Sequence, residues 1–218
     1  MVLLCISDIH GESKGLGEVL SAAADADVIV VAGDVTHLGG YAEAEKVLAP
    51  LVESGKPMVA VAGNMDGEGV QRFLQERGID IHGRGIAFGP VGFHGLGGSN
   101  PSPFHSPFEI AADEARSLLE RGYAEVADRD FRILISHAPP KDTKLDRSFM
   151  GMHVGSPEVL EFIRMREPHL CISGHIHESS GEDTVGRTLC LNIGPYKSGR
   201  YALVRIEGGT STILWRKR

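Results

Sequence analysis

Five short stretches of this chain carry carboxylates, imidazoles and one neutral amide of the kind that coordinate metal ions. They are Asp8-Ile9-His10, Gly33-Asp34, Gly63-Asn64-Met65-Asp66, the isolated His137, and Gly174-His175-Ile176-His177. Mixed carboxylate, imidazole and amide donors suit Mn²⁺, Fe, Zn²⁺ or Ni²⁺ better than Ca²⁺ or Mg²⁺. The candidate ligands Asp8, His10, Asp34, Asn64, His137, His175 and His177 are too many for one four-coordinate ion. Two divalent ions roughly 3.5–4 Å apart, sharing a carboxylate, would use them all. Against the charges of Asp8 and Asp34, two such ions leave a pocket at about +2, which attracts a phosphate ester.

The elements that must position these residues can be read from the apolar pattern. Val2–Ser7, Val28–Ala32, Met58–Ala62, Arg132–Ser136 and Leu170–Ser173 are continuous runs rich in Val, Ile and Leu. Runs of that length read as strands buried on both faces. Each of the five stretches follows one of them, and open α/β sheets place ligand sites at the carboxyl ends of strands. Residues two apart leaving a strand point the same way, which pairs Asp8 with His10 and His175 with His177. The glycines before Asp34, Asn64 and His175 permit a sharp exit.

Between the strands, Leu16, Val19, Leu20 and Ala23 form one helical stripe. Tyr41–Ser54 predicts a helix that Pro50 should kink or split, and Val70–Arg77 a third. Gly85–Gly97 predicts a hairpin turning at Gly89-Pro90. Ser106-Pro107-Phe108-Glu109 and Ser156-Pro157 are helix-start signals, the first with the Ser and Glu of a capping box. Leu189–Ile193, Tyr201–Ile206 and Thr212–Trp215 alternate and predict a C-terminal antiparallel meander. The chain has 218 residues, with no low-complexity linker and no shift in composition. One α/β domain spanning 1–218 is the expectation.

The five motifs, in this order and each after an apolar run, resemble the calcineurin-like metallophosphoesterase family. The SHAPP, GGSNPSPF and HVGS stretches look like a branch of small single-domain prokaryotic phosphoesterases. The resemblance implies a four-layer αββα sandwich of two mixed sheets flanked by helices. It implies one metal held by Asp8, His10, Asp34 and His177 and a second by Asp34, Asn64, His137 and His175, with Asp34 bridging. Two divalent transition-metal ions follow as cofactors, Mn²⁺ preferred and Fe, Zn or Ni as alternatives. A hydroxide between the ions would attack phosphorus in line. Asp34 and Asn64 then take part in catalysis, and Asp66 would orient a neighbouring imidazole. The sequence departs from the family at Met65, where a His is usual. A thioether donates no proton, and general acid catalysis is worth ~10²–10⁴-fold. Esters with acidic leaving groups are therefore the expected substrates, and the resemblance to small members of the family that also lack this His implies phosphodiesters above monoesters.

Other residues could supply what Met65 lacks. His37, His94, His105 and His153 are the histidines available for that role. His153, just before a helix start, is the preferred candidate, with Asn100 and His105 as substrate contacts. The formal charge of −7 and the lack of a Lys/Arg stripe disfavour long nucleic acids, so a nuclease is a secondary reading. A non-catalytic scaffold of the same fold is the other. The opening Met1–Ile6 is too short for a leader or a span, and no later stretch is long enough to span a membrane. Cys5, Cys171 and Cys190 lie in apolar runs, as reduced core thiols do. A cytoplasmic protein acting on a small phosphate ester is expected, with no membrane partner and with homo-oligomerisation left open.

Overall fold

Every residue of β1 (Val2–Ile6), β2 (Val28–Ala32) and β3 (Met58–Val61) is buried, as in strands covered on both faces. The structure, a computed structural model, describes residues 1–217. Between these parallel strands run α1 (Leu16–Ala22) and α2 (Tyr41–Glu53), and α3 (Glu68–Glu76) follows. The hairpin β4 (Gly85–Phe88) and β5 (Val91–Leu96) turns at Gly89-Pro90. Then come α4 (Ala112–Ala124), β6 (Phe131–Ser136), α5 (Pro157–Arg166) and β7 (Leu170–Ser173). Strands β8 (Gly181–Val185), β9 (Thr188–Asn192), β10 (Arg200–Glu207) and β11 (Thr210–Lys217) complete the chain.

Two mixed sheets result. One has the order β11-β10-β1-β2-β3 and the other β4-β5-β6-β7-β9-β8. Strand alternation divides the core into three layers. Leu4, Ile6, Ile29 and Val31 face outward onto α1–α3, against Leu48, Leu51 and Phe73. Leu3, Cys5 and Val30 face the opposite way and meet Phe93, Ile133 and Ile172 of the second sheet. Leu134 and Cys171 look out onto α4 and α5, against Leu119, Val159 and Phe162. This is a helix–sheet–sheet–helix sandwich. All three cysteines are free and buried in it.

Three local expectations need correction. The C-terminal meander is not one unit. β9 pairs parallel with β7 and antiparallel with β8, in the second sheet, whereas β10 and β11 close the first sheet beside β1. Gly181–Val185, with Glu182, Asp183 and Thr184 on an edge strand, carries too little apolar signal to announce itself as β9's partner.

The Ser106 signal does not start a helix. Glu109 does reach back to the Ser106 N–H, and it also accepts from the Ser102 and Ser106 hydroxyls. But Ser99 N donates to Phe108 O and Ile110 N to Ser99 O, so the backbone pairs with residue 99 and α4 starts later. Finally, α2 runs on through Pro50. Pro50 removes one helical hydrogen bond near the last turn, while Val47, Leu48 and Leu51 remain buried on either side. At Ser156 the start signal does hold: the hydroxyl accepts from Val159 N and Pro157 opens α5.

Candidate functional site

The loops leaving β1, β2, β3, β6 and β7 meet where the two sheets come together. Asp8 N donates to Gly33 O, His10 N to Asp34 O, His137 N to Leu96 O, and Gly174 N to His137 O. These bonds continue the strand ladders past the strand ends and fix the loops against one another.

The side chains then converge. Asp34 sends one oxygen each way: Oδ2 lies 3.6 Å from His10 Nε2, and Oδ1 lies 3.5 Å from His137 Nε2. His177 Nε2 is 3.3 Å from Asp8 Oδ1 and 3.2 Å from His10 Nε2. Asn64 Oδ1 is 3.0 Å from His137 Nε2. The His175 ring sits edge-on to that of His137, centroids 5.0 Å apart, and its backbone N–H donates to the Asp8 carboxylate. Two groups of donor atoms, Asp8–His10–His177 and Asp8–Asp34–His137, each lie within 4.8 Å of one another. All seven sequence candidates for metal ligation are thus brought together.

The surroundings fit a cation. His137 Nδ1 lies 2.9 Å from Ala32 O, and a carbonyl only accepts, so the proton belongs on Nδ1. Nε2 then turns its lone pair toward Asn64 Oδ1 and Asp34 Oδ1, an assembly of acceptors that only a proton or a metal ion satisfies. Asp8, Asp34 and His137 are fully or almost fully buried, and unpaired buried carboxylates are costly. The backbone is strained at the same place: Asp8, His10, Asp34 and His175 have φ of 51°, 48°, 50° and 70°. Non-glycine residues in the left-handed region persist when the surroundings over-determine them, as at functional sites. Space is also kept open. A Cβ at Gly63 would strike Asp34 Oδ1, and one at Gly174 would strike Asp8 Oδ2 and Ser7 Oγ.

Charge follows from this crowding. Burial disfavours ionisation of Asp34, but the His137 imidazole beside it overrides that and holds the carboxyl below its usual range. His137 is likewise raised above an ordinary imidazole, because Asp34 outweighs its own burial. His175 is lowered to about 4, by burial first and by His137 second.

Asp66 is a correction. Its carboxylate, fully buried, orients no imidazole. It accepts from Val35 N, Thr36 N, Thr36 Oγ1 and Gly63 N at 2.8–3.0 Å. It therefore clamps the loop bearing Asp34 to the loop bearing Asn64. Burial, then the Asp34 charge, raise it to about 6 against the pull of those donors.

The candidate acid and substrate residues differ in their surroundings. His153 Nδ1 bonds to the buried Asp146 at 2.6 Å, and Asp146 also accepts from Thr143 N and Gly155 N. His105 is exposed in a turn with φ 50°, and Asn100 lies half-buried in the same loop. His37 is the histidine brought next to a cluster residue, its ring centroid 5.6 Å from that of His10. His94 is sealed against Tyr123 and Phe162.

Two supporting residues escape the motifs. Ser7 Oγ donates to Asp8 Oδ2 at 2.7 Å. Asn192, fully buried, donates from Nδ2 to Ile176 O at 2.9 Å and so fixes the backbone between His175 and His177. A lone Asn at the end of an apolar strand is the signal the sequence offers for it.

Two face-to-face mixed sheets with such a cluster at their strand ends define a metal-dependent phosphoesterase fold. The chain belongs to the calcineurin-like phosphoesterase family, whose model matches residues 1–179. It is 32% identical over 200 residues to an uncharacterized protein, MJ1162, of Methanocaldococcus jannaschii, covering 89% of this chain and 88% of that one. Among solved structures it resembles the protein TT1561 of Thermus thermophilus at a TM-score of 0.77 and 18% identity, covering 98% of this chain and 97% of that one. Purple acid phosphatase PPD1 from yellow lupin superposes at 0.65 and 9% identity, with all of this chain matched to 51% of that one. These low identities speak for the fold. The family match carries the activity, a phosphoesterase hydrolase that uses divalent metal. Among the described residues no helix is long and apolar enough to cross a membrane.

Proposed function

We propose that the protein hydrolyses phosphodiesters in preference to phosphomonoesters, at a centre that takes two divalent transition-metal ions, with Mn²⁺ preferred. The observation that carries this is Asp34, which offers one carboxylate oxygen to the Asp8–His10–His177 set and the other to the His137–Asn64 set. Asp8, His10, Asp34 and His177 would hold one ion, and Asp34, Asn64, His137 and His175 the other. When bound, such ions supply Lewis acidity toward phosphoryl oxygens and lower the pKa of nearby water. The chain's own residues do the rest. Asp66 and Ser7 hold Asp34 and Asp8 in place, and the backbone of Met65 donates to Asp34 Oδ1 at 2.9 Å. The Met65 side chain offers no proton to a leaving oxygen, which supports a preference for diesters with acidic alcohols.

Hydrolysis of bis-p-nitrophenyl phosphate and p-nitrophenyl phosphate, with and without added Mn²⁺, tests the reading. The diester is expected to exceed the monoester by about 10-fold or more in kcat/KM. His175→Ala serves as the background. A monoester preference, or rates no higher than that variant, defeats the proposal.

Metal uptake has its own signature. His137 holds a proton more tightly than a free imidazole while Asp34 faces it. A metal ion must displace that proton, so Mn²⁺ binding releases protons and weakens as pH falls below the raised value. Calorimetric titration in two buffers of different ionisation enthalpy should give different apparent heats. Equal heats would show that no proton leaves.

A further inference from the structure

Six histidines stand outside the proposed metal set, and five of them have other surroundings. His82 and His169 each accept a backbone N–H, from Gly97 and Arg132. His94 is sealed among aromatic rings, and His153 is bonded to Asp146. His105 is exposed in its turn. His37 differs. It is exposed, and its ring lies edge-on to that of His10, centroids 5.6 Å apart and planes at 68°. Among the described residues neither of its ring nitrogens has a hydrogen-bond partner.

The backbone on either side of His37 is held. Thr36 donates from N and Oγ1 to the buried Asp66, at 2.8 Å each. Leu38, with φ 63°, donates from N to Met65 O at 2.9 Å. Gly39 N donates back to Thr36 Oγ1 at 3.2 Å. His10 N and Gly11 N donate to Asp34 O and Val35 O, which ties the loop of His10 to the same segment. A left-handed non-glycine residue persists where its surroundings over-determine it. His37 thus stands next to both the His10 ring and the Met65 backbone. The Met65 side chain has no N–H to offer there, whereas an imidazole carries at least one in either protonation state. An exposed ring without a partner, on a backbone held this firmly beside a metal-ligand candidate, is placed to meet a group that arrives from solvent. For a phosphate oxygen such a donor gives a charge-assisted hydrogen bond that needs no reorganisation.

We propose that His37 is a further substrate-contacting residue of the centre: its imidazole N–H donates to a non-bridging oxygen of the phosphate group of an ester held beside His10. The proposal rests on the phosphoesterase reading above. It assigns no proton transfer to His37. The contact orients the phosphate and counters its negative charge, and inorganic phosphate offers the same acceptor. The leaving alcohol is untouched, so the preference for acidic alcohols stands.

The test compares the Mn²⁺-loaded wild type with His37→Ala and His37→Gln. Binding of inorganic phosphate is measured by calorimetry. Hydrolysis is measured as kcat/KM on bis-p-nitrophenyl phosphate and on diphenyl phosphate, whose alcohol is less acidic. His37→Ala is expected to bind phosphate about 10-fold more weakly and to lose about 10–100-fold in kcat/KM on both diesters alike. His37→Gln, which keeps an N–H, should recover part of each loss. The Mn²⁺ affinity of both variants should match the wild type, a readout that a structural role through His10 would move. Phosphate binding and kcat/KM unchanged in His37→Ala overturn the contact while the phosphoesterase reading stands. So does a loss that comes with weakened Mn²⁺ binding, or one much larger for diphenyl phosphate, which would put His37 at the leaving oxygen. A wild type that hydrolyses neither diester overturns the phosphoesterase reading, and phosphate titration then still decides on His37. Absent or equal affinity in wild type and His37→Ala overturns the contact, and a gap of about 10-fold upholds it.

Discussion

Asp34→Asn is expected to lower phosphoester hydrolysis on the order of 10³-fold or more and to abolish stoichiometric binding of divalent metal. The substitution keeps the shape of the side chain. The amide oxygen can still accept from Met65 N, so the loop has little reason to move. What changes is charge and valence. In the wild type both carboxylate oxygens are acceptors, one 3.6 Å from His10 Nε2 and the other 3.5 Å from His137 Nε2. An amide turns one of them into a donor aimed at an imidazole and removes a negative charge from a buried site. It also removes the largest influence that holds His137 above its ordinary range, leaving Asp8 as the carboxylate that still favours its proton. Metal content by elemental analysis and diester hydrolysis should fall together, while the metal-free melting temperature stays near that of the wild type. A variant that keeps both metal and activity would remove Asp34 from the centre.

The site was more legible than the sheets that carry it. Asp8 and His10, or His175 and His177, lie two residues apart, and each set follows an uninterrupted apolar run. Strand periodicity and the strand-end rule then suffice to place them on one face. Pairing partners have no such local code. Nothing within Thr188–Asn192 distinguishes a strand that joins β7 in the second sheet from one that joins β10 in the first. That choice is made by residues far away, where Cys171 and Leu170 offer an open edge. The capping box at Ser106 failed for a similar reason. Its local bonds form, but Ser99, seven residues upstream, outcompetes the helix for the backbone of Phe108 and Ile110. Asp146 and Asn192 carry no motif because each acts on loop backbone rather than on a ligand. The left-handed φ at Asp8, His10, Asp34 and His175 has only a weak signal in residue type, since Asp and His enter that region more often than most residues but usually do not.

Asp66 shows how a motif residue can matter without touching the reaction. Asp66→Ala is expected to destabilise the protein by about 3–5 kcal/mol, the range for leaving buried partners of a hydrogen-bonded charge unpaired. The N–H groups of Val35, Thr36 and Gly63 would lose their acceptor, and the site is too buried for bulk water to replace it. For a chain of this size that corresponds to a fall in melting temperature of roughly 6–20 °C. The loss should be felt at the metals as well, because the clamp sets how far Asp34 lies from Asn64. Outer-shell substitutions of this kind typically weaken metal affinity by about 10–100-fold. The two effects separate by measurement. Melting of the metal-free protein reports the clamp alone, and Mn²⁺ titration of the folded variant reports the spacing of the ligands. If Asp66 served only to hold the loops, saturating Mn²⁺ should recover much of the diester rate. A variant that is stable, binds metal normally and yet stays inactive would instead place this carboxylate in contact with the reacting groups.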